Sequence, residues 1–387
     1  MKEDKIRIGI AGSRGLVYLP GFLDMPGVEV VAFCELDNAV LEREADKHNI
    51  PLRFRVFDDL CDCDKVDAVF IATPMQLHVP QTLAALSAGK HVLCEVVACT
   101  SLEELFWLKE AVEKSDRIYM MCENYVYRPD AVLIKILVER GMFGELYYAE
   151  SEYIEDIKSW LTYPNGKPSW RQYWQVGKRG AFYPTHCLGP VMKWFEGDRI
   201  DTVSCFGTGP YTDPAFRQED TTTTIVRLTS GKFINIRIDV MSNRPNQIIY
   251  YALQGTKGAV ETGRGIPSNK TPDKIFLSDG AVRVSRGIDW EDLWKYSHLL
   301  PDSYRNMPQA AQKLAANGDY NCCGGDYFVV QDFIQACRGE KPSPVDVYEA
   351  CEWSAVAMLA ELSAQNEGRP MKMPDFRGTR ADLICKL

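Results

Sequence analysis

Hydrophobic and polar positions follow two different rhythms along this chain, and the change falls near residue 125. Before it, short apolar runs at Ile6–Ala11, Val28–Glu35, Val66–Ala72, His91–Val96 and Arg117–Cys122 predict strands buried on both faces. Between them Asp37–His48, Pro80–Ala88 with Gly89 as its stop, and Ser101–Lys114 predict helices, the last opened by a capping box of Thr100 and Glu103. Strand and helix in such regular alternation imply a parallel sheet with right-handed crossovers. From Tyr127 the rhythm changes. A helix over Pro129–Arg140 ends at Gly141, and period-two strands follow at Glu145–Ile154, Thr221–Leu228, Phe233–Met241 and Ile248–Leu253. They predict a largely antiparallel sheet with one face open. Two helices, Asp326–Cys337 and Asp346–Ala364, read as cover for that sheet, and the irregular stretch Trp290–Asn321 as a lid or an oligomer arm.

A glycine loop refines the first half. Gly12, Ser13 and Arg14 turn the first strand into the next segment, where a dinucleotide-binding fold aims backbone N–H groups at a pyrophosphate. Only Gly12 fits the fingerprint, since Arg14 and Val17 stand at its second and third glycines, and Arg14 is placed to cover the cofactor or pair with a phosphate. Glu35 closes the second strand 23 residues after Gly12, where an acid meets the ribose 2′-hydroxyl and repels a 2′-phosphate. NAD is the expected cofactor. Thr73, Pro74, His78, Glu95, Val96 and Asn124 stand at the carboxyl ends of later strands and are expected to line the nicotinamide side; Thr73 and Pro74 also read as a simple turn. The fold class is thus α/β, an N-terminal Rossmann parallel sheet over residues 1–125 plus a C-terminal α+β domain over residues 126–387 with a largely antiparallel open sheet.

Length and composition fit two soluble domains: 387 residues, 46% hydrophobic and 25% charged. A net charge of −9 argues against nucleic-acid or anionic-membrane partners. No apolar run reaches membrane-spanning length. The start of the chain shows no apolar leader, and thirteen scattered cysteines read as free thiols, so a cytoplasmic location is expected, without a metal site.

The chemistry of the second half concentrates in Arg179–Pro190, RGAFYPTHCLGP. With Pro184 at the first helical position, Tyr183 and His186 lie on one side of a helix N-terminus. The positive end of the helix dipole there favours a neutral imidazole, a base beside a phenol. The same residues also read as a buried histidine next to a core tyrosine. Just upstream, Trp160, Tyr163, Trp170, Arg171, Tyr173 and Trp174 either offer a sugar ring its stacking surface, with Trp170 and Arg171 foremost, or pack their own loop.

Three segments together, ATPxxxH (Ala72 to His78), AGKHVLCE (Ala88 to Glu95) and GTKG (Gly255 to Gly258), resemble the Gfo/Idh/MocA sugar oxidoreductases. Dehydrogenases of that family carry EKP after the fourth strand and a DxGxH segment. Here Val96-Val97 follows Glu95, and Phe182 and Pro184 replace the aspartate and glycine before His186. These departures are similar to the family 109 glycoside hydrolases, as are ENxxY (Glu123 to Tyr127), GxFGE (Gly141 to Glu145), YPTHxLGP, SxRP (Ser242 to Pro245), DVYxAxxWS (Asp346 to Ser354) and PDF (Pro374 to Phe376). The resemblance implies a redox-neutral NAD-dependent glycosidase acting on a small carbohydrate: oxidation at carbon 3, elimination at carbon 1, hydration and re-reduction. In it His186 is the first base, Tyr153 takes the carbon 2 proton, and Tyr183 assists the leaving group or orients the sugar. An imidazole titrating near about 6.5 suits the first task better than a phenol near about 10. A sugar 3-dehydrogenase and a non-catalytic NAD and sugar sensor are the alternatives. The family habit also implies a homo-oligomer, a dimer or tetramer. A tyrosine usually stands where this chain has Gly263, and a histidine where it has Cys322; both departures bear on the sugar, not on the redox chemistry.

Overall fold

The computed structural model describes residues 5–265, 270–278, 289–316 and 323–378. Its residues divide into two compact units. The first comprises Met1–Tyr127, Pro308–Ser354 and Pro374–Leu387, the second Arg128–Met307 and Ala355–Met373.

The apolar runs of the first unit become six parallel strands: β1 (Ile6–Ala11), β2 (Val28–Cys34), β3 (Leu52–Phe54), β4 (Ala68–Ile71), β5 (His91–Cys94) and β6 (Tyr119–Met121), in the order β3-β2-β1-β4-β5-β6. Ile8, Ile10, Val69, Phe70 and Leu93 have no exposed surface, as strands covered on both faces require. The order reverses at β1, between β2 and β4, which is where such sheets open a crevice beyond their carboxyl ends. The first helix after β2, Asn38–His48, is capped by Asp37, whose carboxylate accepts from the N–H groups of Ala39 and Val40. The capping box of the helix Leu102–Lys114 lies one residue later than the sequence reading: Ser101, extended at φ −144°, pairs with Glu104. Thr100 and Glu103 have the same chemistry as their neighbours, so backbone direction alone decides.

The helix Gly325–Cys337, expected to cover the antiparallel sheet, belongs to the first unit instead. Asn124 donates to Asp326 at 2.5 Å and Tyr327 donates to Asp24 at 2.9 Å. A Cβ built on Gly21 would stand 3.6 Å from Val330, ordinary contact for closely packed helices.

The second unit holds a nine-stranded sheet: β7 (Leu146–Ile154), β8 (Ile200–Gly207), β9 (Thr222–Leu228), β10 (Phe233–Asp239), β11 (Ile248–Gly255), β12 (Gly258–Glu261), β13 (Lys274–Leu277), β14 (Glu291–Asp292) and β15 (Met371–Lys372), in the order β14-β13-β12-β11-β7-β10-β9-β8-β15. It is antiparallel except for the central pair β7 and β10, which run parallel with Tyr153 opposite Ile238. One face of β7 is buried through Ala149, Ser151 and Tyr153, while Tyr148, Glu150 and Glu152 of the other face are half-exposed. The helix Thr185–Trp194 packs on β7 and β11 and is buried along almost its whole length. Its Trp194 indole donates to the Ala131 carbonyl at 3.0 Å, tying it to the helix Pro129–Glu139. The stretch from Trp290 is ordered in its described part, with β14, a 3₁₀ helix at Leu293–Leu299 and the Trp294 indole donating to Asp273 at 2.7 Å; Asn321 and Cys322 lie outside the described residues.

Candidate active site

In the first unit the loop after β1 is built around a backbone that only glycine tolerates. Gly12 sits at φ +90°, and a Cβ there would stand 2.5 Å from the Ala72 carbonyl oxygen. The Glu35 carboxylate, at the end of β2, accepts from the Ser13 N–H at 3.1 Å and the Asp37 N–H at 3.3 Å. It is therefore fixed beside the glycine loop. Arg14 does not stand alone as a phosphate partner: its Nε lies 3.7 Å from Glu95 Oε1, and its guanidinium is 5.9 Å from the centre of the Tyr18 ring. Glu95 is almost fully buried, and its other oxygen accepts from the Val96 N–H at 3.1 Å. The peptide bond between Val96 and Val97 is cis.

His78 is anchored to the segments that follow β4 and β5. Its two ring nitrogens stand 2.7 Å from the Val97 carbonyl and 2.9 Å from the Thr73 carbonyl, so it bridges the two; the neutral ring donates to one of these carbonyls, and only the imidazolium donates to both. Burial holds its imidazole below its usual value, against the pull of those carbonyls. The Thr73 hydroxyl donates to Gln81 at 2.5 Å, and Pro74 caps a short 3₁₀ turn, which is the turn reading of that pair. Asn124 is held by Asp326 and lies 3.4 Å from the Tyr18 hydroxyl. Burial raises Asp326 above the usual carboxylate range, with the Asn124 amide and Arg14 opposing it. Tyr18 and Asp326 escaped the sequence reading because they sit within helical segments and not at strand ends.

These residues fit NAD. The Gly12 backbone leaves the space that a Cβ would fill, and the anchored Glu35 carboxylate can accept from a ribose hydroxyl while rejecting a 2′-phosphate.

In the second unit the segment leading to His186 is locked before the helix begins. Glu219, with no exposed surface, accepts from Arg179 Nε at 2.7 Å and from the Gly180 N–H at 2.8 Å, and Gln218 donates to the Gly180 carbonyl at 2.9 Å. Gly180 adopts φ +70°, and a Cβ would stand 2.7 Å from the Ala360 carbonyl group. The helix starts at Thr185, so Pro184 is its N-cap and not its first helical residue. Tyr183 and His186 still converge. Their ring centroids are 5.1 Å apart in an edge-to-face arrangement, and Tyr153, arriving from β7, lies 5.5 Å from His186 and 5.9 Å from Tyr183. The Tyr251 hydroxyl donates to the His186 carbonyl at 2.6 Å and so fixes the backbone that carries the imidazole. Tyr153 in turn donates to the carboxylate of Glu155, which is 5% exposed. Glu155 was not among the residues read from sequence. The signal was there, because Tyr153 and Glu155 are two apart in an extended segment and must share a face.

Trp170 and Arg171 are engaged with their own loop. The Arg171 guanidinium lies 4.5 Å from the Trp170 ring centre and 5.2 Å from that of Trp160, and it donates to Gln175 at 2.7 Å. At Gly263 a side chain has no room, since a Cβ would stand 1.7 Å from the Thr271 carbonyl oxygen.

Fold and site define an NAD-dependent enzyme on a Rossmann scaffold, and residues 6–123 match the family profile "Oxidoreductase family, NAD-binding Rossmann fold". Residues 127–210 and 205–383 match "Glycosyl hydrolase 109, C-terminal domain". The chain belongs to glycosyl hydrolase family 109, and its class is that of sugar-acting NAD-dependent enzymes. It is 30% identical to a glycosyl hydrolase family 109 protein of Streptomyces filamentosus, covering 97% of this chain and 78% of the relative. It is also 30% identical to one of Solibacter usitatus, covering 96% and 88%. Among solved structures, levoglucosan dehydrogenase in complex with NADH and levoglucosan matches with a TM-score of 0.76 at 18% identity, covering 96% of this chain and 100% of that one. Apo scyllo-inositol dehydrogenase from Lactobacillus casei matches with 0.70 at 16%, covering 96% and 99%. At these identities the likeness speaks for the fold alone. No helix among the described residues is long and apolar enough to cross a membrane.

Proposed function

We propose that this enzyme is a redox-neutral glycosidase that works by oxidation at carbon 3 of a glycoside, elimination, hydration and re-reduction. The observation that carries the reading is the triangle of Tyr153, Tyr183 and His186, three proton-transferring side chains with ring centroids 5.1 to 5.9 Å apart. NAD, when bound, would supply the hydride acceptor for carbon 3 and the hydride for its re-reduction. Gly12, Ser13 and Glu35 hold the nucleotide, and Glu95, Val96 and Asn124 belong to its nicotinamide side. His186 takes the proton of the carbon 3 hydroxyl as that carbon becomes a ketone. The ketone acidifies the neighbouring C–H bond, and Tyr153 Oη takes the carbon 2 proton. The electron pair of that bond becomes the carbon 1 to carbon 2 double bond, the bond from carbon 1 to the leaving oxygen breaks, and Tyr183 protonates that oxygen. Water then adds at carbon 1, and the same groups run in reverse. Each positioned acid or base contributes about 10² to 10⁴ in rate.

The test is proton NMR of the purified protein in D2O with a panel of methyl and p-nitrophenyl glycosides and no added NAD. The expected result is free sugar carrying deuterium at carbon 2. Ketone formed only up to the amount of enzyme would replace this reading with a sugar 3-dehydrogenase, and silence across the panel would replace it with a sensor.

A further inference from the structure

In that reaction the removal of the carbon 2 proton needs an acceptor beyond Tyr153 itself, because Tyr183, 5.9 Å away by ring centroids, can accept only after the leaving oxygen has taken its proton. A neutral phenol has no place for a second proton, so Tyr153 serves as a base only if its own hydroxyl proton leaves while the carbon 2 proton arrives. His186 lies 5.5 Å away by ring centroids, but at that stage it already carries the proton from the carbon 3 hydroxyl. The structure offers another acceptor in place. The Tyr153 hydroxyl donates to Glu155 Oε2, and both residues are more than nine-tenths buried. The backbone holds this pair rigidly. Tyr153 lies within β7, and the Glu155 N–H donates to the Asp239 carbonyl at 3.0 Å, continuing the pairing of β7 with β10 by one residue. A carboxylate removed from water in this way is tolerated only with hydrogen-bond donors on its oxygens, and the phenol is one of them.

We infer that Glu155 is the positioning residue through which Tyr153 works, receiving the phenolic proton of Tyr153 as Oη takes the proton from carbon 2. This rests on the elimination reading above. The step balances. The C–H bond at carbon 2 breaks and its electron pair enters the new double bond; a new O–H bond forms at Tyr153 Oη while the old one breaks; the old proton ends on Glu155 Oε2. During hydration Tyr153 gives its proton to carbon 2 and recovers one from Glu155, so the dyad returns to its starting state without exchanging a net charge with the sugar.

The experiment compares the wild-type chain with Glu155→Gln, Tyr153→Phe and the double variant on the p-nitrophenyl glycosides of the same panel. Two rates are read: reduction of bound cofactor by its absorbance on mixing with sugar, and deuterium entry at carbon 2 as a function of pH. In E155Q, deuterium entry falls about 10²-fold more than cofactor reduction does. The limb of its pH profile that reports the dyad disappears. In the Y153F background the glutamine adds no further loss, since both changes cut one relay. Equal slowing of both rates in E155Q, exchange within about threefold of wild type, or fully additive losses in the double variant would overturn the role of Glu155. If E155Q does not fold, Glu155→Asp, which retracts the carboxylate by one bond, is compared in the same way, and equal slowing of the two rates again overturns it. Wild-type protein that reduces its cofactor but never exchanges the carbon 2 proton would overturn the elimination reading itself, a result distinct from exchange that ignores Glu155.

Discussion

At the scale of single residues, the two clusters differ in what a substitution removes. His186→Ala deletes the proposed proton acceptor from a helix whose other side chains remain packed, so turnover is expected to fall about 10² to 10⁴-fold while the melting temperature stays within a few degrees. Calorimetry alongside the NMR assay checks both halves. Gly12→Ala acts through space instead. Its methyl group would meet the Ala72 carbonyl at 2.5 Å in a backbone conformation that alanine resists, and the expected outcome is protein that purifies without NAD. Release of nucleotide on denaturation, measured against wild type, decides it. Which residues could be read in advance follows the same division. Gly12, Glu35 and His186 stand in local patterns, whereas Glu219 and Asp326 act across 39 and 202 residues of chain on Gly180 and Asn124, and no local pattern contains such a pair.

Among the elements, legibility followed how strongly burial dictated the pattern. The doubly covered strands are dominated by apolar residues, unbroken in β4, interrupted only by Arg7 in β1 and opened by His91 in β5, and their positions were plain. Strand β8, IDTVSCFG, mixes serine, threonine and glycine into an alternation too weak to announce itself, and β15 has only two residues. The aromatic loop was legible in content but not in use, because a stacked Arg171 and a stacked sugar ask for the same residues. The element that carries His186 depends on its entry. Gly180→Ala places a Cβ 2.7 Å from the Ala360 carbonyl at a φ of +70°, which costs about 1 to 3 kcal/mol for the backbone conformation before any steric shift. The helix start then moves with it. The expected outcome is a loss of both stability and turnover, seen as a lower urea midpoint and a reduced rate at saturating glycoside.

For the whole molecule, acid weakens the fold in a window set by one buried and one half-buried imidazole. Burial depresses His78 and His91 below their ordinary value of 6.5, so the unfolded chain binds more protons once the pH drops below that value. Their contribution is complete above about 6.5 and is lost progressively as the pH falls toward the folded values. Asp326, raised by burial, has the opposite sign: it adds stability when protonated and loses that contribution as the pH rises through its folded value. A His78→Gln variant isolates the first effect. The wild-type stability should fall relative to the variant as the pH is lowered from 7 to 5 in a urea titration series, and parallel curves would remove His78 from the account.

The first unit is assembled from three separated lengths of chain, with Pro308–Ser354 and Pro374–Leu387 joining Met1–Tyr127. A fragment ending at residue 125 therefore lacks the helix Gly325–Cys337, whose Phe328, Val330, Phe333 and Ile334 are buried. Such a fragment is expected to aggregate or bind apolar dyes where the full chain does not. On the ribosome this has a consequence in time. The nucleotide-binding half emerges well before the segments that complete it, so its apolar surface must wait, exposed to chaperones or to neighbouring nascent chains, until more than two hundred further residues have been made.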